Sequence, residues 1–233
     1  MTLVFVDDLE LPVLGEDDRR HLERVLRVRP DEVLVAADGA GSHRRCRLAG
    51  GGRLVPLDEI EHDPPPQPAL TVCFAVPKGE RPELVVQKLT ELGVDRIVPF
   101  VASRSVVRWD AERAERHIDR LRRVVREAAM QSHRSRLPVV DELARFDEVA
   151  ALPRAALADA GGDPPSLHHP VLLVGPEGGW SDDEAGRGLP AVRLGPHVLR
   201  AETAAIAAAT VLGALRAGLV RSAEPATTAT EGR

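Results

Sequence analysis

The sequence predicts an α/β protein in two parts: a small β-rich domain, barrel-like in its short strands, then a larger domain built on a parallel sheet. Three observations predict it. The seam Asp63-Pro64-Pro65-Pro66-Gln67-Pro68 cannot continue a helix or a central strand and reads as a stiff linker. Ahead of it, short apolar runs alternate with turn signals. Behind it, apolar runs of strand length alternate with amphipathic helical stretches, the pattern of a parallel sheet covered by helices. The first domain is therefore placed at residues 1–66 and the second at 69–221. Residues 222–233 lack apolar periodicity and are predicted to be a disordered tail.

In the first domain, Val33-Leu34-Val35-Ala36-Ala37 predicts a strand running into Asp38-Gly39-Ala40-Gly41, a turn where glycine supplies positive φ. Arg44 to Leu48 and Arg53 to Ile60 predict further strands, split by Gly50-Gly51-Gly52. Only Asp17 to Val28 has helical character, with Leu22, Val25 and Leu26 at helical spacing.

In the second domain, Leu70 to Val76 predicts a strand and Glu83 to Leu92 a helix. Pro82 suits that helix's first turn, and Gly93 suits the left-handed residue past its end. Arg96 to Val101 predicts a strand. Ala111 to Met130 predicts a long helix with Leu121, Val124, Val125, Ala128 and Ala129 on one stripe. The unbroken run Val171-Leu172-Leu173-Val174 predicts a buried strand. Ser181-Asp182-Asp183-Glu184 predicts a capping box, Val192 to Leu194 a short strand, and Thr203 to Arg216 an alanine-rich helix closed by Gly218.

Composition excludes several function classes. No stretch approaches the roughly 20 apolar residues of a membrane helix. The start, Met1 to Asp8, is apolar only briefly and then acidic, unlike a secretory signal, so a cytoplasmic protein is expected. Cys46 and Cys73 form no CxxC pair and read as reduced, partly buried thiols. The histidines offer no zinc spacing, and His168-His169 lies beside Pro170 in loop-like sequence, so no metal is expected. The net charge of −5 argues against non-specific attraction to nucleic acid. Yet the basic residues are almost all arginine, Lys78 and Lys88 excepted, and arginine suits phosphates and bases. GC-rich coding would give the same bias.

Two loops carry candidate chemistry. Gly175-Pro176-Glu177-Gly178-Gly179-Trp180 follows a buried strand and precedes a capped helix, where glycine lets a ligand touch backbone. Leu194-Gly195-Pro196-His197-Val198-Leu199-Arg200-Ala201-Glu202-Thr203 repeats that placement. Taken singly, the first is equally a tight turn. In the second, Glu202 equally balances a helix dipole or pairs with Arg200. Neither carries the GxGxxG of a dinucleotide fold nor the GxxxxGK[ST] of a phosphate loop, which disfavours hydride transfer and NTP hydrolysis.

With these loops, Lys78-Gly79-Glu80-Arg81, Gln87-Lys88-Leu89-Thr90-Glu91-Leu92-Gly93-Val94, Ile97-Val98-Pro99 and Arg104-Ser105 resemble the RsmE family. So do Glu127-Ala128-Ala129, Gln131-Ser132, Arg134, Arg136 and Pro138, and, earlier, His21-Leu22, Val25-Leu26-Arg27 and Asp38-Gly39-Ala40-Gly41. The resemblance covers nearly the whole chain except the tail. It implies a PUA-like RNA-binding β-barrel, then an α/β domain of the SPOUT class whose C-terminal part is threaded into a trefoil knot. It implies a homodimer that uses S-adenosylmethionine to methylate N3 of a uridine in 16S ribosomal RNA of the small subunit. Carried onto this sequence, it assigns the cofactor to Leu173, Val174, Gly175, Glu177, Gly178 and Gly179, and to Leu194, Gly195, Val198 and Leu199, beside a third loop near Val101 to Ser105. There are departures: Met130 stands where the family usually has Glu, His133 for Gly, Trp180 for Phe, Ala201 for Thr and Pro30 for Gly.

Uracil N3 carries a proton at neutral pH, and a nearby arginine would stabilise the anion left by its loss. Arg200 is the first candidate for that catalytic role; Glu202 or a water would take the proton. His133 has a suitable unperturbed pKa but reads better as an RNA-facing residue. The stretch Val101 to Leu137 holds ten arginines against five acids. Of these, Arg113, Arg116 and Arg120 interleave with Glu112, Glu115 and Asp119 as helix-surface pairs. RNA binding is expected of Arg24, Arg27, Arg104, Arg134 and Arg136, the last two with no acid beside them in sequence; Arg44, Arg45 and Arg47 are further candidates. The alternatives are another SPOUT methyltransferase, acting on transfer RNA or a ribose hydroxyl, and a non-catalytic RNA-binding protein.

Overall fold

The computed structural model describes residues 2–15, 31–79, 81–107 and 109–221. The helix expected over 17–28, with Arg24 and Arg27, and the tail expected over 222–233 lie outside them.

The first sheet holds β1 (Leu3–Phe5), β2 (Val33–Ala37), β3 (Ser42–Leu48), β4 (Leu54–Pro56) and β5 (Glu61–His62). The order is β1-β2-β3-β4, with β5 also on β3; β1 runs parallel to β2 and the other pairs are antiparallel. The β2–β3 turn forms as its residues require. Asp38 Oδ1 accepts from the Ala40 and Ser42 amides at 2.7 and 2.9 Å, and Gly39 and Gly41 take φ of 76° and 102°. The long strand expected over Arg53 to Ile60 is shorter. β4 stops at Pro56, and the Asp58 side chain instead accepts the Arg45 amide at 2.8 Å, so the chain turns before β5. Val4, Leu34, Cys46 and Leu54 form the centre of this domain's core.

The second sheet holds β6 (Thr71–Ala75), β7 (Arg96–Val101), β8 (Val139–Val140), β9 (Ala144–Arg145), β10 (Ala155–Asp163), β11 (Val171–Val174) and β12 (Ala191–Val192). It is wholly parallel, in the order β12-β10-β11-β6-β7-β8, with β9 also on β7. The helices are α1 (Arg81–Glu91), α2 (Ala111–Gln131), α3 (Phe146–Ala150), α4 (Asp182–Ala185) and α5 (Ala201–Arg216). Every residue of β6 and β11 is buried, as their unbroken apolar runs require of strands covered on both faces. On one face α1, α2 and α5 bring Val86, Leu89, Leu121 and Leu212 against Val72, Phe74 and Leu172. On the other, Phe146 and Val149 of α3 and Trp180 pack on Val98, Phe100 and Leu173. The alanines of α5 permit close approach: a Cβ on Gly213 would stand 3.0 Å from the Leu92 carbonyl.

No element is predicted between Met130 and Val171, where the structure places β8, β9, α3 and β10. The β10 sequence, Ala-Ala-Leu-Ala-Asp-Ala-Gly-Gly-Asp, is poor in strand formers; its place comes from β11 and β12 on either side. There is no room for a larger residue at Gly162, whose Cβ would fall 2.4 Å from the Val192 amide.

The two domains are packed together by the C-terminal end of α2 and the chain just after it. Leu3, Phe5 and Ala37 share a core cluster with Ala129. Arg126 lies 5.1 Å over the Phe5 ring and donates to the Phe5 carbonyl at 3.0 Å. The Leu137 amide donates to the Gly39 carbonyl at 2.9 Å. Both cysteines are buried and free, one in each domain, and burial pushes the Cys73 thiol up to about 12.

Candidate functional site

All the helix N-termini of the second domain sit at the carboxyl edge of the parallel sheet, the edge where ligands bind in open α/β folds. Three loops meet there: 102–110 from β7 to α2, 175–181 from β11 to α4, and 193–200 from β12 to α5. The second and third enclose a cleft of about 360 Å³. Val174, Gly175, Glu177 and Gly179 line one wall, and Leu194, Gly195, Val198 and Leu199 the other. Eight of the ten residues expected at the cofactor are thus brought around one space.

The other two lie elsewhere. Leu173 is fully buried in the core beneath the cleft. Gly178 does not line it either: its bare face meets Arg104, whose Cβ would stand 3.1 Å from a Cβ there. Its close approach is loop against loop, with Arg104 Nη1 donating to the Gly178 carbonyl at 3.2 Å. Gly195 and Gly179 (φ 69°) are different. Nothing stands within 4 Å of a Cβ at either, so their backbone is bare on an open side. The far part of β10, Ala158 to Ala160, completes the lining with Trp180 and His197. No motif marked β10, because its residues are ordinary and its strand was not predicted.

Trp180 anchors the glycine loop to the sheet. Its ring is stacked 6.3 Å from Phe100 at 8°, and its Nε1 donates to the Ala158 carbonyl at 3.1 Å. A Cβ on Gly175 would come within 3.0 Å of that ring. The aromatic that departs from the usual Phe therefore finds a partner for its extra N–H.

The expected capping box forms. Ser181 Oγ accepts from the Glu184 amide at 3.2 Å, and Glu184 Oε2 accepts from the Ser181 amide at 2.9 Å. Glu184 also reaches across to the 102–110 loop, where its Oε1 accepts the Ser103 amide at 2.8 Å. Burial pushes the Glu184 carboxyl up, but the hydrogen bonds from Ser181 and Ser103 outweigh it and hold the group below its usual range.

Arg200 caps α5 from an extended conformation, exposed, with no side-chain hydrogen bond or ion pair to the described residues. It is a free cation between two lining residues, Leu199 and Ala201, and does not itself line the cleft. Glu202, in the first turn of α5, faces away from the lining. Its Oε1 lies 3.6 Å from Arg81, which also stands 3.5 Å from Glu177, so Arg81 ties the two cleft loops together. Glu202 Oε2 is buried without a partner among the described residues.

Arg134 departs from the exposed position expected of an RNA contact. It is largely buried, donates to the Thr90 and Val94 carbonyls at 2.8 and 2.9 Å, and lies 3.6 Å from Asp95. Asp95, distant in sequence, is the acid its neighbours lacked. Arg136 is half-buried and donates to the Asp63 carbonyl at 2.9 Å, across the domain junction. Of the helix-surface pairs, Arg116 meets Glu112 at 2.6 Å, whereas Arg120 reaches Glu83 on α1 at 3.0 Å. Arg44 and Arg45 are taken up by the Asp58 carbonyl and carboxylate, while Arg47 is exposed. Among the described residues no cluster of His, Cys, Asp and Glu could hold a metal, and no helix is long and apolar enough to cross a membrane.

A family model described as an RNA methyltransferase domain matches residues 64–213. The chain is 37% identical to ribosomal RNA small subunit methyltransferase E of Mycobacterium bovis, over 91% of each chain. It is 32% identical to the protein of that name from Synechocystis, over 84% of this chain and 70% of that one. Among solved structures, the Neisseria gonorrhoeae ribosomal RNA small subunit methyltransferase E bound to S-adenosyl methionine superposes with a TM-score of 0.78. It is 30% identical, over 92% of this chain and 98% of that one. A Legionella pneumophila putative methyltransferase in complex with the same cofactor gives 0.77 at 28% identity, over 92% and 97%.

Proposed function

Since the chain belongs to the ribosomal RNA small subunit methyltransferase E family, we propose that it moves a methyl group from S-adenosylmethionine to N3 of a uridine in 16S ribosomal RNA. The observation that carries this is the cleft at the carboxyl edge of the sheet, walled by two glycine loops, with an unpaired arginine between two of its lining residues.

The residues present fit the cofactor. The volume, about 360 Å³, lies within the roughly 300–1,000 Å³ of small-molecule sites. Val174, Leu194 and Leu199 offer apolar walls, and the bare backbone at Gly179 and Gly195 leaves space that a Cβ would fill. Bound S-adenosylmethionine supplies an electrophilic methyl on a sulfonium. The protein's part is to orient, to exclude water and to manage one proton. Holding nucleophile and methyl in line accounts for roughly 7–11 kcal/mol of barrier lowering. Arg200, free to turn toward the cleft mouth, stabilises the imide anion as the N3 proton leaves. Glu202, turned from the lining with its Oε2 buried and its Oε1 beside Arg81, holds the loops rather than the proton, which passes to a water in the cleft.

The wider reading follows the family. The first domain acts as a PUA-like RNA-binding barrel, and the passage from edge strand β12 back to α5 is the threaded part of a trefoil knot of the SPOUT class. The protein works as a homodimer in the cytoplasm, where ribosomal RNA is found. Arg104, beside the cleft, contacts RNA, as do Arg24 and Arg27. The deciding experiment is mass mapping of methylated nucleosides in ribosomal RNA from a deletion strain, with and without the gene restored. Loss and return of one N3-methyluridine in 16S RNA is expected. A changed ribose or transfer-RNA methyl, with 16S RNA unaltered, would overturn the assignment. Light scattering at micromolar concentration should give twice the chain mass.

A further inference from the structure

Near the cleft stands a pair of rings that the mechanism does not use. The chain has only four phenylalanines and two tryptophans, and no tyrosine. All four phenylalanines are buried, and Trp180 is spent on the glycine loop. Trp109 remains, half-exposed in the loop that joins β7 to α2. Its ring is stacked on His117, with centroids 4.2 Å apart and planes within 9°. The indole N–H makes no hydrogen bond to the described residues, nor is it sealed from solvent.

Three features tie this pair to the functional edge. Trp109 is five residues beyond Arg104, which touches the glycine loop, so it lies no more than about 18 Å away along the chain. His117 lies close enough to Glu83 to feel its charge, and Glu83 stands two residues past Arg81, which holds Glu177 and Glu202. The surroundings are cationic: burial first, then Arg113 with Arg120 and Arg116, lower the His117 pKa against the opposing pull of Glu83. The imidazole stays a neutral stacking partner at neutral pH, and Arg113 is exposed with no ion-pair partner among the described residues.

We propose that the stacked Trp109–His117 pair, flanked by Arg113, is a platform for an unpaired base of the RNA substrate next to the methylated uridine. The inference rests on the RNA methyltransferase reading. Stacking fits because an aromatic face accepts any base, and Arg113 meets an adjoining phosphate. His117 holds the indole in the plane it presents.

The test compares wild type with Trp109→Ala, Trp109→Phe and His117→Ala. Affinity for a fluorescein-labelled oligouridylate decamer is read by anisotropy at several salt concentrations. KM and kcat are read on unmodified 16S RNA, and S-adenosylmethionine affinity by calorimetry. Trp109→Ala is expected to weaken decamer binding about 5- to 150-fold, the range for loss of one base–aromatic stack. KM for RNA should rise with it, while kcat, cofactor affinity and the salt slope hold. Trp109→Phe should recover most of the loss, and His117→Ala should weaken binding less than Trp109→Ala. Binding within twofold of wild type in both alanine variants, or a loss matched by a smaller salt slope, would overturn the platform. If Trp109→Ala does not fold, Trp109→Leu, which keeps bulk without an aromatic face, replaces it, and unchanged affinity in it and in His117→Ala would do the same. Wild type that methylates 16S RNA while the variants match it defeats only the platform. Wild type that neither binds nor methylates RNA defeats the function and the platform together.

Discussion

Arg134 closes the end of α1 through the carbonyl of Thr90, 2.8 Å from its Nη1. The same nitrogen reaches the Val94 carbonyl and Asp95 balances the charge, so this guanidinium is a buried clamp on the end of α1 and the turn that follows it. Burial pushes its pKa down, Asp95 opposes that and Arg216 adds to it. Arg134→Ala should therefore unfold more easily, by about 1.5–3 kcal/mol, the range for a hydrogen bond to a charged group. A thermal melt should fall by roughly 3–12 °C at about 2–4 °C per kcal/mol. The salt slope of RNA binding should stay as in wild type; a slope reduced by about 0.7–0.9 would return Arg134 to the RNA surface.

His133 offers the opposite change. It sits just past α2 at φ 56°, where the Arg134 amide bonds the Ala129 carbonyl at 2.9 Å and the His133 amide the Met130 carbonyl at 3.4 Å. That is a helix end built for a left-handed residue, which explains why glycine is usual there in the family. His133→Gly should relieve strain of about 1 kcal/mol and raise the melting temperature by about 2–4 °C. A lowered melt would mean the imidazole makes a stabilising contact in solution.

Gly178→Val tests the contact between loops. The new side chain would meet Arg104 from 3.1 Å outward, with the Arg104 carbonyl 3.5 Å away, so one of the two loops must shift. Cofactor affinity by calorimetry should fall at least tenfold while far-ultraviolet dichroism keeps the native spectrum. Arg104→Gly in the same chain should recover part of the loss, because it removes the obstructing Cβ. Full affinity in the single variant would show that the loops yield without cost to the cleft.

Glu184 gives a pH dependence with a definite sign. Its carboxyl is held below the usual range in the folded protein, so its contribution is present above the ordinary glutamate value of about 4.3. That contribution is lost as pH falls through the folded value. Glu184→Gln should lower stability near neutrality by about 1–2 kcal/mol and flatten the acid limb of the stability curve below about pH 4.3. An acid limb as steep as that of wild type would show that other carboxylates carry it.

Arg200 and Arg81 should separate chemistry from architecture. Arg200→Ala should slow the single-turnover rate at saturating RNA by roughly 2.7–4 kcal/mol, if it acts as other anion-stabilising donors do. Cofactor affinity should hold. Arg81→Ala frees Glu177 and Glu202 from each other and should weaken cofactor binding. The reverse pattern would exchange the two roles.

What the sequence made legible were the elements whose local chemistry agrees with their final environment. β11 and β7 have the predicted bounds, and the Ser181 cap and the positive φ at Gly93 follow from single residues. β10 was illegible because alanine, glycine and aspartate carry no strand signal, and neighbours on both sides impose the conformation. With it went Ala158 to Ala160, a side of the cleft. The placement of Arg134 was lost for a related reason: Asp95 and Thr90 reach it only through the tertiary fold. The two glycine loops were legible as a site, yet the particular work of Gly178 was not, because that depends on Arg104, far away along the chain.

The two thiols have a use in the laboratory. Cys46 lies in the core of the first domain and Cys73 in the central strand of the second, each with no exposed surface. Only a thiolate reacts readily with an alkylating reagent, and burial raises the pKa of both. Neither should label while its own domain is closed. Peptide-resolved alkylation of the native protein is thus a pair of clocks, one per domain. If the first domain opens separately to admit RNA, Cys46 will label before Cys73 and substrate RNA will change only the former. If the packed junction makes the molecule open as one, the two rates will coincide.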